Sequence, residues 1–244
     1  MKAYLFVSAF FVSTLSFNAP AFAESLPLGK KLADAVMFQD VAQVQALITQ
    51  GADVNYRDNG RPVLGWAAQN GNVAIVDALL KAKANPNVVD EGISGHTPLM
   101  RAIETQQVEI AKLLLKAKAD PNAVTPDGKT CLIFAIESRK PEIVQALVDA
   151  RVDIKQVNKD GNSPALVAAQ DGFPESLEAI RILGKAGANL NASNIVYTPL
   201  VYSIEQGNKE FVQALLDAGA DPNAKTQSGR LPLQAAFDNP EILE

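Results

Sequence analysis

The residues that could do chemistry in this chain are few and scattered. The 244-residue sequence holds one histidine, His96, and one cysteine, Cys131. A Ser-His-Asp or Cys-His arrangement would have to use His96, because imidazole is the side chain that exchanges protons near neutral pH. His96 directly precedes Thr97-Pro98, a helix-start pair, so it is expected on a solvated tip. One His and one Cys do not complete the ligand set of a zinc site. Gly128-Lys129-Thr130 matches the last three residues of a phosphate-binding loop. The position of that loop's first glycine holds Ala123, and no buried strand precedes it. A turn role for Gly128 and a cap role for Thr130 account for the tripeptide. The adjacent carboxylates Asp90 and Glu91 lie in a loop with no apolar pocket to raise a pKa. Cys131 falls one residue into a helix, where a buried thiol is inert and no internal disulfide can form. No catalytic residue, cofactor or metal is expected.

What remains is the framework, and it is periodic. The stretch Gly95–Asn122 reads GHTPLMRAIETQQVEIAKLLLKAKADPN. Thr97 stands at a helix N-cap and Pro98 at the first helical position, where a missing N–H costs nothing. A short apolar helix covers Leu99–Ile103, a polar break covers Glu104–Gln107, and a second helix carries Ile110, Leu114 and Leu115. Ala-Asp-Pro-Asn then ends it. One such unit cannot bury its own apolar face, so it needs neighbours. The small residue of the first helix recurs as Ala67, Ala102, Ala135, Ala168, Ser203 and Ala236, at spacings of 35, 33, 33, 35 and 33. The second-helix pairs agree at Leu79-Leu80, Leu114-Leu115, Leu147-Val148 and Leu215-Leu216. The exits agree at GADVN (51–55), ANPN (84–87), ADPN (119–122), ANLN (188–191) and ADPN (220–223).

This period and the triplets Thr97-Pro98-Leu99, Ser163-Pro164-Ala165, Thr198-Pro199-Leu200 and Leu231-Pro232-Leu233 resemble the ankyrin-repeat family. Thr130-Cys131-Leu132 and Pro62-Val63-Leu64 are weaker copies. The resemblance implies an all-α repeat solenoid: helix–turn–helix units with β-hairpin tips, about six repeats plus a truncated C-terminal one. Residues 28–50 read as a degenerate first repeat, with polar Lys30, Lys31, Asp34, Gln39 and Gln43 suited to a terminal cap. Insertions are expected to lengthen the loop Val88–Gly95 and the inter-helix turn at Phe173–Ser176. At the other end, Pro240–Leu243 matches Pro141–Val144 three periods earlier. That half-repeat is either a C-terminal cap or the remnant of a longer array.

Two departures stand out. The family's motif histidine is replaced by Gly65, Met100, Ile133, Leu166, Val201 and Gln234, so apolar packing should take over its inter-repeat hydrogen bonding. The glycine that ends the second helix is kept at Gly51, Gly187 and Gly219 but becomes Lys83, Lys118 and Arg151 elsewhere. Those three are expected to be left-handed and strained.

Residues 1–23 read as a secretory signal peptide: Lys2 as a minimal basic start, an apolar run Tyr4–Phe17, and Ala21-Phe22-Ala23 as the cleavage site. The ankyrin-repeat domain then spans 24–244, exported to the bacterial periplasm or beyond. Without the leader the chain has 21 basic and 27 acidic residues, about −6, which argues against a nucleic-acid partner.

The resemblance implies that a protein partner binds along the tips and the concave face of the first helices. One column there reads Trp66, Arg101, Phe134, Val167, Tyr202, Ala235; aromatic and arginine side chains are favoured anchors. A second reads Gln69, Glu104, Glu137, Gln170, Glu205, Asp238, an acidic rim suited to a basic surface. The tips add Arg57, Asp90, His96, Lys129, Asn158, Lys159, Tyr197 and Arg230. The reading is a monomeric, non-enzymatic binding module. Accessory partners of stress-defence enzymes and immunity proteins that neutralise toxins are its subtypes. An enzyme and a membrane-anchored spacer with an uncleaved leader are the competing classes.

Overall fold

The computed structural model describes residues 26–91, 94–239 and 242. The leader expected over 1–23 lies outside them, as does the Pro240–Leu243 match apart from Ile242. Among the described residues there are thirteen helices in paired succession. The inner helices are α1 (Leu28–Met37), α3 (Val63–Asn70), α5 (Pro98–Glu104), α7 (Cys131–Glu137), α9 (Pro164–Asp171), α11 (Pro199–Glu205) and α13 (Pro232–Asp238). The outer helices are α2 (Val41–Thr49), α4 (Val73–Lys81), α6 (Val108–Lys116), α8 (Pro141–Asp149), α10 (Pro174–Lys185) and α12 (Lys209–Asp217). Inner helix stacks on inner helix and outer on outer, giving among the described residues six pairs and a seventh inner helix.

The stacking follows from the small-residue column. Ala67, Ala102, Ala135, Ala168 and Ser203 are buried, so adjacent inner helices approach closely. The hydroxyl of Ser203 donates back to the Pro199 carbonyl at 2.9 Å and so carries no unsatisfied donor into the interface. The positions that lack the motif histidine are apolar contacts as expected: Met100, Ile133, Leu166 and Val201 are fully buried. Thr97, Thr130, Ser163 and Thr198 cap their helices, each accepting from the N–H three residues on. Leu231 has no such oxygen. Gln234, itself at a motif-histidine position, accepts from the Leu231 N–H instead, at 2.9 Å.

One set of polar bonds between repeats runs through the exits. Asn55, Asn87, Asn122 and Asn191 each use the side-chain oxygen to accept from the backbone N–H of Asn85, Asp120, Asp153 and Asp221, at 2.7–2.8 Å. The equivalent of Asn122 one repeat on is Lys155, whose ammonium has no acceptor, so the ladder lacks a rung there.

The outer helices all end alike. The N–H groups of Ala52, Ala84, Ala119, Val152, Ala188 and Ala220 reach back to Leu47, Leu79, Leu114, Leu147, Leu183 and Leu215, at 2.9–3.0 Å. This closure requires one left-handed residue in between. It is Gly51, Gly187 or Gly219 in three repeats, and Lys83 (φ 71°), Lys118 (φ 69°) or Arg151 (φ 61°) in the others. The inner helices repeat the device, with Gln39, Gln106 and Arg139 also left-handed, which the sequence reading did not anticipate.

One expectation needs correction. The insertion near Phe173–Ser176 does not lengthen a turn; it adds three residues to α10, which has twelve where α4, α6, α8 and α12 have nine. Pro174 begins that helix directly, and the Ser176 hydroxyl is held at 2.5 Å by Asp171. Arg139 joins this corner to the preceding repeat, stacking 3.2 Å over Phe173 while bonding Asp171. The tips are short hairpin turns closed by main-chain bonds, such as Thr125 N–H to the Lys129 carbonyl at 3.0 Å and Thr226 N–H to the Arg230 carbonyl at 2.9 Å. Among the described residues only β1 (Arg57–Asp58) and β2 (Arg61–Pro62) pair as strands, and Val124–Thr130 forms a single bridge.

Replacing Lys83 or Lys118 by glycine should raise the thermal midpoint, each relieving about 1 kcal/mol of left-handed strain. Calorimetry of both variants checks this, and a lower midpoint in both contradicts it.

Candidate functional site

The inner helices and tips bring the two sequence columns together through a third that the sequence reading did not assemble. The residue just before each helix cap reads Arg61, His96, Lys129, Asn162, Tyr197, Arg230. Each stands eight residues before a member of the acidic column, about two helical turns, so the two project on the same side. A long side chain at the tip lies along the inner helix and reaches the far end. Arg61 donates to Gln69 at 2.8 Å, Lys129 meets Glu137 at 2.5 Å, Asn162 donates to Gln170 at 3.2 Å and Arg230 meets Asp238 at 2.7 Å. Arg230 also reaches Glu205 in the previous repeat, at 2.9 Å.

The aromatic column lies under these spans. Arg61 sits 4.1 Å from the ring centre of Trp66, and Lys129 sits 4.6 Å from that of Phe134. Tyr197 packs edge-on against Tyr202 at 5.2 Å. A cation over a ring and a carboxylate beyond it hold each other in place. Burial first, and then the facing Glu205 carboxylate, push the Tyr197 phenol above its ordinary pKa. Trp66 and Tyr202 are half-buried and Phe134 is buried.

This arrangement revises several expectations. The acidic rim is not bare: Glu104, Glu137, Glu205 and Asp238 each have a cationic partner within the chain. Arg101 is not a free anchor. It is buried, donating to Asp90 at 2.7 and 3.1 Å, to Ser94 at 2.9 Å and to Glu104 at 3.1 Å. Asp90 is buried too, held by Arg101 and by Arg61 at 3.4 Å. Arg57 clamps two tips together, donating to the Val89 carbonyl at 2.7 Å and lying 3.4 Å from Glu91. Arg61 was the missed residue; its signal was the eight-residue offset from Gln69.

His96 is not a solvated tip residue. Its side chain is 12% exposed, 3.9 Å from Glu104, and its ring packs 5.3 Å from Phe134 of the next repeat. It therefore belongs to the interface between two repeats. Cys131 is fully buried, with its Sγ 3.7 Å from the Ala123 carbonyl, and burial pushes the thiol up to about 12. At neutral pH it stays protonated and is a poor nucleophile.

Burial lowers the His96 pKa from its ordinary 6.5; nearby Arg101 acts in the same direction, and Glu104 opposes it. The native chain thus favours the neutral ring, while the unfolded chain takes up the proton first. This contribution to stability is complete above about pH 6.5 and is lost as the pH falls toward the native value. Between about pH 7 and pH 5 the thermal midpoint should fall more in the chain than in His96→Phe, which keeps a ring on Phe134 without a titrating nitrogen. Equal falls contradict the buried neutral histidine.

Comparison with known proteins accords with the architecture. A family model described as ankyrin repeats in three copies matches residues 32–125 and 118–194, and one for the single ankyrin repeat matches 197–227. Among solved structures, the ankyrin repeat domain of Bcl-3, described as a unique member of the IkappaB protein family, superposes with a TM-score of 0.77 at 27% identity. The match covers 87% of this chain and 96% of that one. An ankyrin repeat domain from Acinetobacter baumannii AYE gives 0.72 at 28% identity, covering 78% and 98%. The human ASB11 ankyrin repeat domain gives 0.70 at 24% identity, covering 87% and 96%, a likeness of fold. No curated protein matches the sequence. With the repeats matched along most of its length and their stacking observed, the chain belongs to the ankyrin-repeat family.

Proposed function

We propose that this chain is an exported, non-enzymatic module that binds one protein partner in the bacterial periplasm through its tips and inner helices. Ankyrin repeats are protein-binding modules, which supplies the class. The observation that carries the assignment to this face is the row of half-buried rings, Trp66, Tyr197 and Tyr202, braced by neighbouring side chains. A braced ring loses little conformational freedom on binding, so its contact area converts efficiently into affinity. The paired acids around the rings form a polar rim of modest energetic weight. The partner that fits therefore presents an apolar or aromatic strip with mixed charge beside it, rather than a purely basic patch.

Export rests on the sequence of residues 1–23, with its apolar run and Ala-Phe-Ala end. Among the described residues no helix is long and apolar enough to cross a membrane. The absence of a second histidine and the high pKa of the one thiol favour binding over catalysis.

The test is capture from a periplasmic extract by the purified chain, with a Trp66→Ala, Phe134→Ala, Tyr202→Ala variant as control. Circular dichroism establishes that the variant is folded. The expected result is one protein retained by the chain and lost by the variant. If nothing is retained, the binding reading fails; if the variant retains the same protein, the assignment to this face fails.

A further inference from the structure

The longer helix α10 changes the outer surface of the solenoid, on the opposite side from the rings. The ninth residue of each nine-residue outer helix of the standard repeats is charged: Lys81 in α4, Lys116 in α6, Asp149 in α8 and Asp217 in α12. In α10 the ninth residue is Ile182, and the helix continues for three more residues. Beside it lies a groove of about 600 Å³ that crosses α8 between α6 and α10. Leu115, Ala146 and Ile182 give it an apolar lining, one from each helix. Glu142, Asp149 and Glu178 stand around it, against one cation, Lys112. Asp149 accepts from Gln145 at 2.7 Å and Glu178 pairs with Arg181 at 3.2 Å, while Glu142 has no ion pair among the described residues. The lining thus keeps a net negative charge over an apolar floor.

We propose that this groove docks a basic amphipathic helix of a partner protein. A helix places apolar side chains on one stripe and lysine or arginine on its flanks, and a groove with an apolar floor and acidic walls complements that pattern. The volume accepts a few side chains rather than a folded domain, and the apolar floor between acidic walls is what selects a helix with an apolar stripe and basic flanks. An acidic helix is repelled by the same three carboxylates. This second surface is independent of the ring-bearing face, so one chain can hold two partners, or two parts of one partner.

The test uses the full chain and a fluorescently labelled amphipathic peptide of leucine and lysine, followed by anisotropy. Saturable binding is expected, weakened by added salt and weakened about tenfold or more by Glu142→Lys combined with Glu178→Lys. Glu142→Gln alone, which preserves shape, should give a smaller loss in the same direction. Lys209→Ala, exposed on α12 and outside the groove, should leave the affinity unchanged. Absence of saturable binding, equal affinity for the double lysine variant, or equal binding of a leucine–glutamate peptide overturns the proposal.

Discussion

Everything in this molecule depends on the contact between one repeat and the next. A helix pair of this length leaves most of its apolar surface open, and only the neighbouring pair closes it. Small residues at Ala67, Ala102, Ala135, Ala168 and Ser203 let the inner helices approach, and Met100, Ile133, Leu166 and Val201 fill the space that a motif histidine would take. Hydrogen bonds between repeats run at the exits, where asparagine side chains hold the next repeat's backbone, and at the tips, where Arg57, Asn194 and Gln227 reach the neighbouring repeat. The interface still carries polar specificity, but at its edge rather than its centre. Water competes more effectively at an edge, so apolar contact supplies most of the cohesion.

The ring-bearing face is a by-product of that stacking. Because inner helices align, residues at equivalent positions fall into rows, and a tip side chain packs on a ring in three repeats, at Arg61–Trp66, Lys129–Phe134 and Tyr197–Tyr202. The same geometry brings distant charges together: Arg230 bridges two repeats through Glu205 and Asp238, and His96 packs on Phe134 across a boundary. A partner seated on the proposed face would touch several interfaces at once. The extended α10 breaks the regularity on the other side, and a groove results where the pattern is broken.

Much of this was legible in the sequence. The period of the small residue located six of the seven described inner helices, and the pairs Thr97-Pro98, Ser163-Pro164, Thr198-Pro199 and Leu231-Pro232 located four of their starts. The left-handed state of Lys83, Lys118 and Arg151 followed from alignment with glycines, since one hydrogen-bonding pattern demands one backbone conformation. Gln39, Gln106 and Arg139 escaped notice because the inner-helix ends have less uniform flanks. What a periodic reading could not supply was pairing. A column taken alone leaves the acids bare, Arg101 available and His96 solvated. The ion pairs that correct this join positions three, eight or eleven apart or lie in successive repeats, and they appear only when side-chain reach is added to register. The insertion at α10 was misplaced for a related reason. Pro174 suggests a turn, yet proline is equally at home in the first turn of a helix.

Trp66 is the only tryptophan in the chain and sits within the proposed binding face, which makes it a built-in reporter. The most direct measurement is the fluorine NMR spectrum of the chain labelled with 5-fluorotryptophan, recorded before and after addition of unlabelled periplasmic extract. The account predicts that the single resonance shifts or broadens, because a partner seated on this face must change the surroundings of the Trp66 ring. A chain that enters a larger complex while the Trp66 resonance keeps its position contradicts the account.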